Sequence, residues 1–225
     1  MRRVLLALIA VLVILPARGE GTLVLWDFDN NTVGSMDAIQ GVEHLARVLP
    51  EALLSKLAQS PGLRIVERVR LRELLDEQKL GSSAVADQDA RLRLGRILGA
   101  SGMIFGEYIA LGPVIRVDVR LVDTATSQIL LSEPMTGAEE ELLVDIENLA
   151  GLIARRQGSQ FTAGQGGIPF PPAAWALYEN GLRQMDEKHF DAAIETFKLL
   201  LGQYPGFAPA ERQIGLALER LARKN

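Results

Sequence analysis

The sequence predicts an α+β two-layer domain, with an antiparallel or mixed sheet whose helices pack mainly on one face, followed by a small all-α tail. Apolar and polar residues alternate strictly over 114–123, which is typical of a strand with one buried face. The segments on either side carry apolar residues three and four positions apart, as amphipathic helices do. A glycine- and proline-rich stretch at 158–172 then separates this region from a purely helical end.

The first half of the domain is predicted to alternate strands with helices. Strands are expected at Thr22–Asp29 and Leu63–Glu67, and helices at Ser35–Ser60, Leu71–Gln78 and Asp87–Leu98. Pro50 falls inside the first of these helices and is expected to kink it, because proline has no N–H to donate.

The second half of the domain is predicted to be a three-stranded meander. Strands at Gly102–Leu111, Val114–Asp123 and Ile129–Met135 are joined by short turns, which favours antiparallel pairing. A helix is then expected at Glu139–Gln157, with acidic residues in its first turn and basic residues in its last. That charge order suits the helix dipole.

Composition excludes several classes of site. The chain of 225 residues is 48% hydrophobic and 23% charged, as in ordinary globular proteins. It has no cysteine and two histidines, so disulfides, thiolate catalysis and sulfur-ligated metals are excluded. The formal net charge of −4 gives no general affinity for nucleic-acid phosphates. We expect no cofactor, no metal and no nucleic-acid partner.

Residues 1–19 have the order of a secretory signal peptide. Arg2 and Arg3 form a basic start, residues 4–15 are apolar, and Ala17–Gly19 is a small-x-small cleavage site. The apolar run is shorter than the roughly 20 residues that span a bilayer, although an uncleaved anchor stays open as the alternative. We expect a periplasmic protein, without a membrane span in the mature chain, that associates with the outer membrane through a partner.

Four ordered features make residues 20–157 resemble the CsgG family of bacterial envelope proteins. They are Asp27–Asn31 after the first strand, Arg64–Arg68 followed by Leu71–Gln78, the pairs Leu94-Gly95 and Gly99-Ala100 with Gly106, and Val119–Asp123 with its turn. The resemblance implies a two-layer α+β fold similar to the amino-terminal domain of TolB and to LpoB. It also implies a non-enzymatic protein with partners in the cell envelope.

The sequence departs from the curli secretion channel of that family at two points. The channel carries a lipid on an amino-terminal cysteine, and this chain has no cysteine. The channel also inserts long membrane hairpins, whereas only Ala110–Pro113 occupies the first insertion point. A membrane hairpin needs about twenty residues, so we do not expect this chain to form a pore alone.

Residues 173–225 resemble a tetratricopeptide (TPR) repeat, and a plain helical hairpin is the alternative. The residues that carry the resemblance are the predicted protein-binding framework, Leu177, Gly181, Ala193, Phe197 and Pro205. Glycine and alanine allow two helices to approach closely, and Phe197 fills the space between them. A single repeat cannot bury its apolar faces, so this tail is expected to dock on another chain or on the first domain.

Other candidate sites are weak. Asp27, Asp29 and Asn31 have the spacing that begins a calcium loop, but Thr32 and Ala38 stand where that loop needs glycine and glutamate. His44 and His189 are expected to be structural or surface residues. The remaining candidate is a cluster that is either a partner-binding patch or a solvated face, formed by Arg64, Arg68, Arg70 and Arg72.

We therefore predict an adaptor that serves cell-envelope assembly or export through unidentified envelope proteins. Two alternatives stay open. The chain could be a ring subunit, hence a homo-oligomer, of a curli-like secretion or surface-assembly machine. It could also regulate a peptidoglycan synthase, by analogy with the LpoB-like fold. No arrangement of residues predicts catalysis.

Overall fold

The computed structural model of the chain describes residues 21–66, 88–161 and 170–224. The strands of the described part are β1 Gly21–Leu25, β2 Asp29–Asn30, β3 Leu63–Val66, β4 Gly102–Leu111, β5 Val114–Asp123 and β6 Ile129–Gly137. Its helices are α1 Met36–Gly41, α2 Leu45–Leu57, α3 Gln88–Ile97, α4 Glu139–Arg156, α5 Pro172–Asp186, α6 Phe190–Gln203 and α7 Ala208–Lys224. The predicted signal peptide and the helix predicted at Leu71–Gln78 lie outside the described residues.

The strands form one mixed sheet in the order β3-β1-β4-β5-β6, with β2 also beside β4. Strand β1 runs parallel to β3 and β4, whereas β4, β5 and β6 are antiparallel, which confirms the predicted meander. Gly112 and Pro113 alone connect β4 to β5, and Gly112 adopts φ +64°. Two-residue hairpin turns reserve such positive-φ positions for glycine.

The strand predicted at Thr22–Asp29 is divided in two. Leu25 pairs with Ile104 and Asp29 pairs with Glu107, so three residues of one strand face two of the other. This extra residue is a bulge, which bends the strand and separates β1 from β2. The alternation of side chains along β1 therefore does not continue into β2.

The single helix predicted at Ser35–Ser60 is wrong, because the chain leaves helical geometry between α1 and α2. Val42 caps the end of α1, and its carbonyl accepts a hydrogen bond of 2.9 Å from the hydroxyl of Tyr108 on β4. This contact between residues distant in sequence fixes the turn against the sheet.

Pro50 lies inside α2 without ending it. Proline leaves the carbonyl four residues earlier without its helical donor. That carbonyl belongs to Ala46, and it accepts a hydrogen bond of 2.8 Å from the backbone N–H of Phe28 in the bulge. The ring of Phe28 lies against Gly106 of β4, where a Cβ atom would come within 2.5 Å of it. The N–H of Phe28 in the bulge thus replaces the helical donor that Pro50 cannot supply to the carbonyl of Ala46.

Helices cover the two faces of the sheet unequally, as the predicted fold class states. Helices α2 and α4 pack on one face, against the alternate β5 residues that the sequence places there, Ile115, Val117, Val119 and Leu121. On the other face α3 contributes Leu92 and Leu94 to a smaller cluster with Trp26, Met103 and Phe105. The predicted alternation of β5 is confirmed, since Arg116 is exposed and Asp118 and Arg120 are half-buried.

The outer edge of β6 carries two features that interrupt its backbone. Nε of Arg156 at the end of α4 donates a hydrogen bond of 2.7 Å to the carbonyl of Leu130. Pro134, four residues further on, has no N–H. Edge strands of natural proteins are commonly blunted in this way.

The tail consists of α5, α6 and α7, with breaks near His189 and between Tyr204 and Phe207. Its buried residues join the same apolar cluster as α2 and α4. Of the two docking positions expected for the tail, the structure therefore has the one on the first domain.

Candidate protein-binding surfaces

The residues of the predicted TPR framework pack the tail from within. Gly181 on α5 faces Phe197 on α6, and a Cβ atom at Gly181 would come within 2.3 Å of that ring. Ala193 and Phe197 are fully buried, Leu177 is half-buried, and Pro205 is exposed in the turn after α6. A role for these residues in binding a partner stays a prediction. Gly181, Ala193 and Phe197 are buried, so they would support binding only by packing the two helices together.

An aromatic cluster joins α5 to the start of α7. The ring of Phe207 lies 4.7 Å from Phe170, 4.7 Å from Trp175 and 5.4 Å from Tyr178, measured between ring centroids. Tyr178 in turn lies 5.7 Å from Phe197 on α6. These tilted and edge-on contacts are the favourable geometries for aromatic pairs. The three tail helices therefore share one rigid centre.

Ion pairs fix the tail against α2. The guanidinium of Arg47 on α2 lies 3.2 Å from the carboxylate of Glu179 and 2.7 Å from that of Asp186, both on α5. Arg212 on α7 lies 2.6 Å from the carboxylate of Glu51, whose side chain is only 8% exposed. Because the two arginines come from opposite sides of the interface, the pairs fix both the position and the direction of the tail.

His44 links the start of α2 to the start of α4, which agrees with the structural role expected from the sequence. Its Nε2 lies 3.2 Å from Oε2 of Glu139. The hydrogen bond to Glu139 raises the pKa of His44 above its ordinary value, and the charges of Glu139 and Glu179 add to this effect. Burial acts in the opposite direction but is outweighed.

A groove opens where the tail meets α2 and α4, with a volume of about 550 Å³ including space open to solvent. Leu143 and Ile146 of α4 and the aromatic rings of Phe170 and Trp175 form apolar walls. Lys56 belongs to the polar rim, which α2 provides. Sequence reasoning missed this groove, because its walls come from residues far apart in the chain.

The opposite face of the sheet carries paired charges. Arg91 on α3 makes two hydrogen bonds, of 3.0 and 2.9 Å, to the carboxylate of Asp29, and its guanidinium lies 5.5 Å from the ring centroid of Trp26. Asn31 donates a hydrogen bond of 2.9 Å to Glu107. Two residues of the calcium-like pattern thus hold the bulge against α3 and β4.

The predicted arginine patch is placed only in part. Arg64 is exposed on β3, at one edge of the sheet. The other three arginines of the cluster, Arg68, Arg70 and Arg72, lie outside the described residues. Their joint use as a partner patch stays a prediction.

Exposed apolar residues gather at the tip of the β4–β5 hairpin, which the sequence did not single out. Leu111 is 70% exposed there, Val33 in the neighbouring loop is 91% exposed, and Met36 at the start of α1 is 68% exposed. The N–H of Ala110 donates a hydrogen bond of 3.0 Å to Oγ1 of Thr32, which holds the loop beside the hairpin.

Residues 16–116 match the model of the family described as curli production assembly/transport component CsgG. The matched segment is somewhat less than half of the chain and includes the first four strands and the first three residues of β5. It contains the first three of the four ordered features that resemble the family, the last of which ends at Gly106. The fourth feature, Val119–Asp123, lies beyond the match. Among curated proteins, none matches the sequence.

Several solved structures are similar to the chain at low identity. The LpoB C-terminal domain from Escherichia coli has 12% identity and a TM-score of 0.38, over 55% of this chain and 87% of that one. Lipoprotein GNA1162 from Neisseria meningitidis has 16% identity and a TM-score of 0.39, over 60% and 96%. The PelC dodecamer from Paraburkholderia phytofirmans has 16% identity and a TM-score of 0.29, over 63% and 89%.

Within residues 21–66, 88–161 and 170–224, no helix has both the length and the apolar character needed to cross a membrane.

Proposed function

We propose that the protein is a non-enzymatic, exported adaptor of the bacterial cell envelope. The CsgG-like region binds one envelope component, and the TPR-like tail, residues 173–225, binds another during assembly or export. The observation that carries the proposal is the docking of the tail on α2 and α4. The ion pairs of Arg47 and Arg212 hold two recognition-type regions in one fixed arrangement.

The envelope location rests on two sources of support. The sequence of residues 1–19 has the order of a signal peptide, and residues 16–116 match a family whose description names curli production and transport. Each of the two regions has exposed apolar residues of its own. Leu199 and Leu218 are exposed apolar residues of the tail, and Leu111 is one at the hairpin tip. An adaptor needs such separate surfaces for separate partners.

The proposal is tested by photo-crosslinking in the envelope of the source cells. A benzoyl-phenylalanine is introduced singly at Leu199, Leu218 or Leu111, all of which are more than half exposed. We expect each tail position to give the same discrete adduct and the hairpin position to give a different one. A benzoyl-phenylalanine at exposed Lys198 is the local control for adducts that form without apolar contact. Absence of any discrete adduct from the tail would refute the adaptor.

Crosslinking, a mass measurement and a polymerisation assay together separate the two alternatives. A ring subunit would give adducts between copies of this chain and a mass in solution that is a multiple of the mass of one subunit. A regulator of a peptidoglycan synthase would change the rate of glycan polymerisation when the purified protein is added to the synthase. An adaptor gives adducts with other proteins and leaves that rate unchanged.

A further inference from the structure

Helices α5 and α7 of the tail repeat one pattern at a fixed distance along the chain. Gly181 of α5 and Gly215 of α7 are 34 residues apart. Leu182 and Leu216 follow them directly, at the same spacing. A period of 34 residues is that of TPR repeats, in which two helices pack together as a hairpin. By this spacing, α7 corresponds to α5, the helix on which α6 packs.

The two glycines differ in what covers them. The ring of Phe197 on α6 lies against Gly181, where a Cβ atom would come within 2.3 Å of it. At Gly215, no atom of the described residues lies within 4 Å of such a Cβ. Leu182 is buried, whereas Leu216 is half-buried. In the described part of the chain, α7 thus has no helix on the face that α6 covers in α5.

The position of Gly215 within its helix is a second indication of a partner. It lies near the middle of α7, where glycine is less favourable than alanine because its backbone loses more freedom. Gly202 is also exposed, but it lies in the last turn of α6, where a helix commonly ends in glycine. Leu218, on the same face as Gly215, is 54% exposed. A glycine beside an exposed leucine leaves a hollow for a large apolar side chain.

Charge decides what can cover this face. Glu211 and Glu219 lie about one turn before and one turn after the glycine of α7, and both are exposed. The residues at the same positions of α5, Leu177 and Met185, are apolar and pack against the larger cluster. Arg223 lies a further turn beyond Glu219. An apolar helix like α6 would therefore meet two carboxylates here, and a helix with basic residues on each side of its apolar contact is complementary.

We propose that α7 binds an amphipathic helix of a partner protein, with an aromatic side chain over Gly215 and a basic residue one turn to each side. The ring packs between Gly215 and Leu218, as α6 packs its own ring on α5. The basic residues pair with Glu211 and Glu219. The inference rests on the adaptor function proposed above and names the chemistry of the tail's partner.

The experiment uses the full chain and three synthetic peptides of about 20 residues, since shorter peptides are rarely helical in water. The first is built on alanine and glutamine, with one phenylalanine and a lysine four residues to each side. Alanine replaces the phenylalanine in the second, and glutamate replaces both lysines in the third. Circular dichroism checks that the three are equally helical. Fluorescence anisotropy of the labelled peptides gives the affinities, and the amide resonances of Gly215 and Gly202 in ¹⁵N-labelled protein locate the contact.

We expect the first peptide to bind saturably, to shift the resonance of Gly215 and to leave that of Gly202 in place. The second should bind roughly tenfold more weakly, because it lacks the ring that is buried on the glycine. The third should also bind roughly tenfold more weakly, because two attractive charge pairs become repulsive.

Two glycine variants test the place of contact. Gly215→Leu fills the hollow and should abolish binding of the first peptide. Gly202→Leu is the matched control, because a Cβ there also has no described atom within 4 Å. It should bind the peptide like the unaltered protein, and both variants should keep the helical signal of the protein. Glu211→Gln, which leaves the hollow open, should weaken binding of the first peptide roughly threefold.

Five outcomes would overturn the proposal. They are no saturable binding of the first peptide, equal binding of the first and second, equal binding of the first and third, unchanged binding by Gly215→Leu, and a dimer of the unaltered chain that Gly215→Leu dissociates. The last would make a second copy the occupant.

The crosslinking experiment separates this inference from the adaptor function. If the tail forms an adduct with another protein but the peptides fail, the adaptor stands and α7 is not its helix site. If the peptides bind as expected but the tail gives no adduct in the envelope, the helix site stands and the adaptor fails.

Discussion

The two faces of the sheet differ in how they are covered. One face is packed against α2 and α4, and the tail extends the same apolar cluster outward. The other face has α3 over a smaller cluster, and beyond it the paired charges of Arg91, Asp29 and Arg116. Stability is therefore concentrated on one face, whereas the other presents polar side chains to solvent.

Replacing one buried leucine on each face by alanine measures this difference in stability. Leu53→Ala on α2 should lower the free energy of unfolding by about 3–5 kcal/mol, and Leu92→Ala on α3 by about 2–3 kcal/mol. Both side chains are buried, but Leu53 lies in the larger cluster, where the cavity is enclosed from more sides. Urea denaturation of both variants gives the two values. Equal losses would mean that the faces contribute equally.

Gly106→Ala tests the contact between the bulge and the well-covered face. The new Cβ would overlap the ring of Phe28, so we expect a loss of about 1–3 kcal/mol. Gly41→Ala is the control, because nothing lies within 4 Å of a Cβ there. The two melting temperatures should differ clearly. A tolerated Gly106→Ala would show that Phe28 can move without disturbing α2.

His44 makes stability depend on pH at the same face. Since Glu139 raises the pKa of His44 in the folded state, the stabilisation is fully present below the ordinary pKa of histidine, about 6.5. It is lost as pH rises through the raised value. Urea midpoints measured across this range should fall with rising pH, and His44→Gln should reduce that fall.

The smallest effect is expected on the open face. Arg116 and Asp118 form an exposed ion pair of 2.8 Å on β5. Exposed pairs contribute little because solvent screens them. Arg116→Gln should therefore leave the melting temperature unchanged in low salt and in high salt. A salt-dependent loss would show that the open face contributes to stability.

The sequence predicts the parts of the fold that are determined locally. The alternation of apolar and polar residues along β5 and the apolar residues three and four positions apart along α4 each depend on residues close together in the chain. Both patterns are confirmed. The helix predicted at Ser35–Ser60 is wrong for a reason that no local pattern contains. Its break depends on the Tyr108 hydroxyl, and the continuity of α2 through Pro50 depends on the N–H of Phe28.

The same distinction between local patterns and contacts distant in sequence applies to the candidate site. The pairing of Gly181 with Phe197 could be predicted, because the two residues lie on adjacent helices of one hairpin. The groove could not, because it needs Lys56 beside Trp175, and only the docking of the tail brings them together.

The outer edge of β6 has a consequence for how copies of the chain can associate. The carbonyl of Leu130 is already bonded to Arg156, and Pro134 offers no donor, so a foreign strand finds an interrupted row of backbone groups there. We expect this edge not to grow by strand addition. Any assembly of several copies on this side would then be held by side-chain contacts. Such an assembly would dissociate into intact subunits and would not elongate as a continuous sheet.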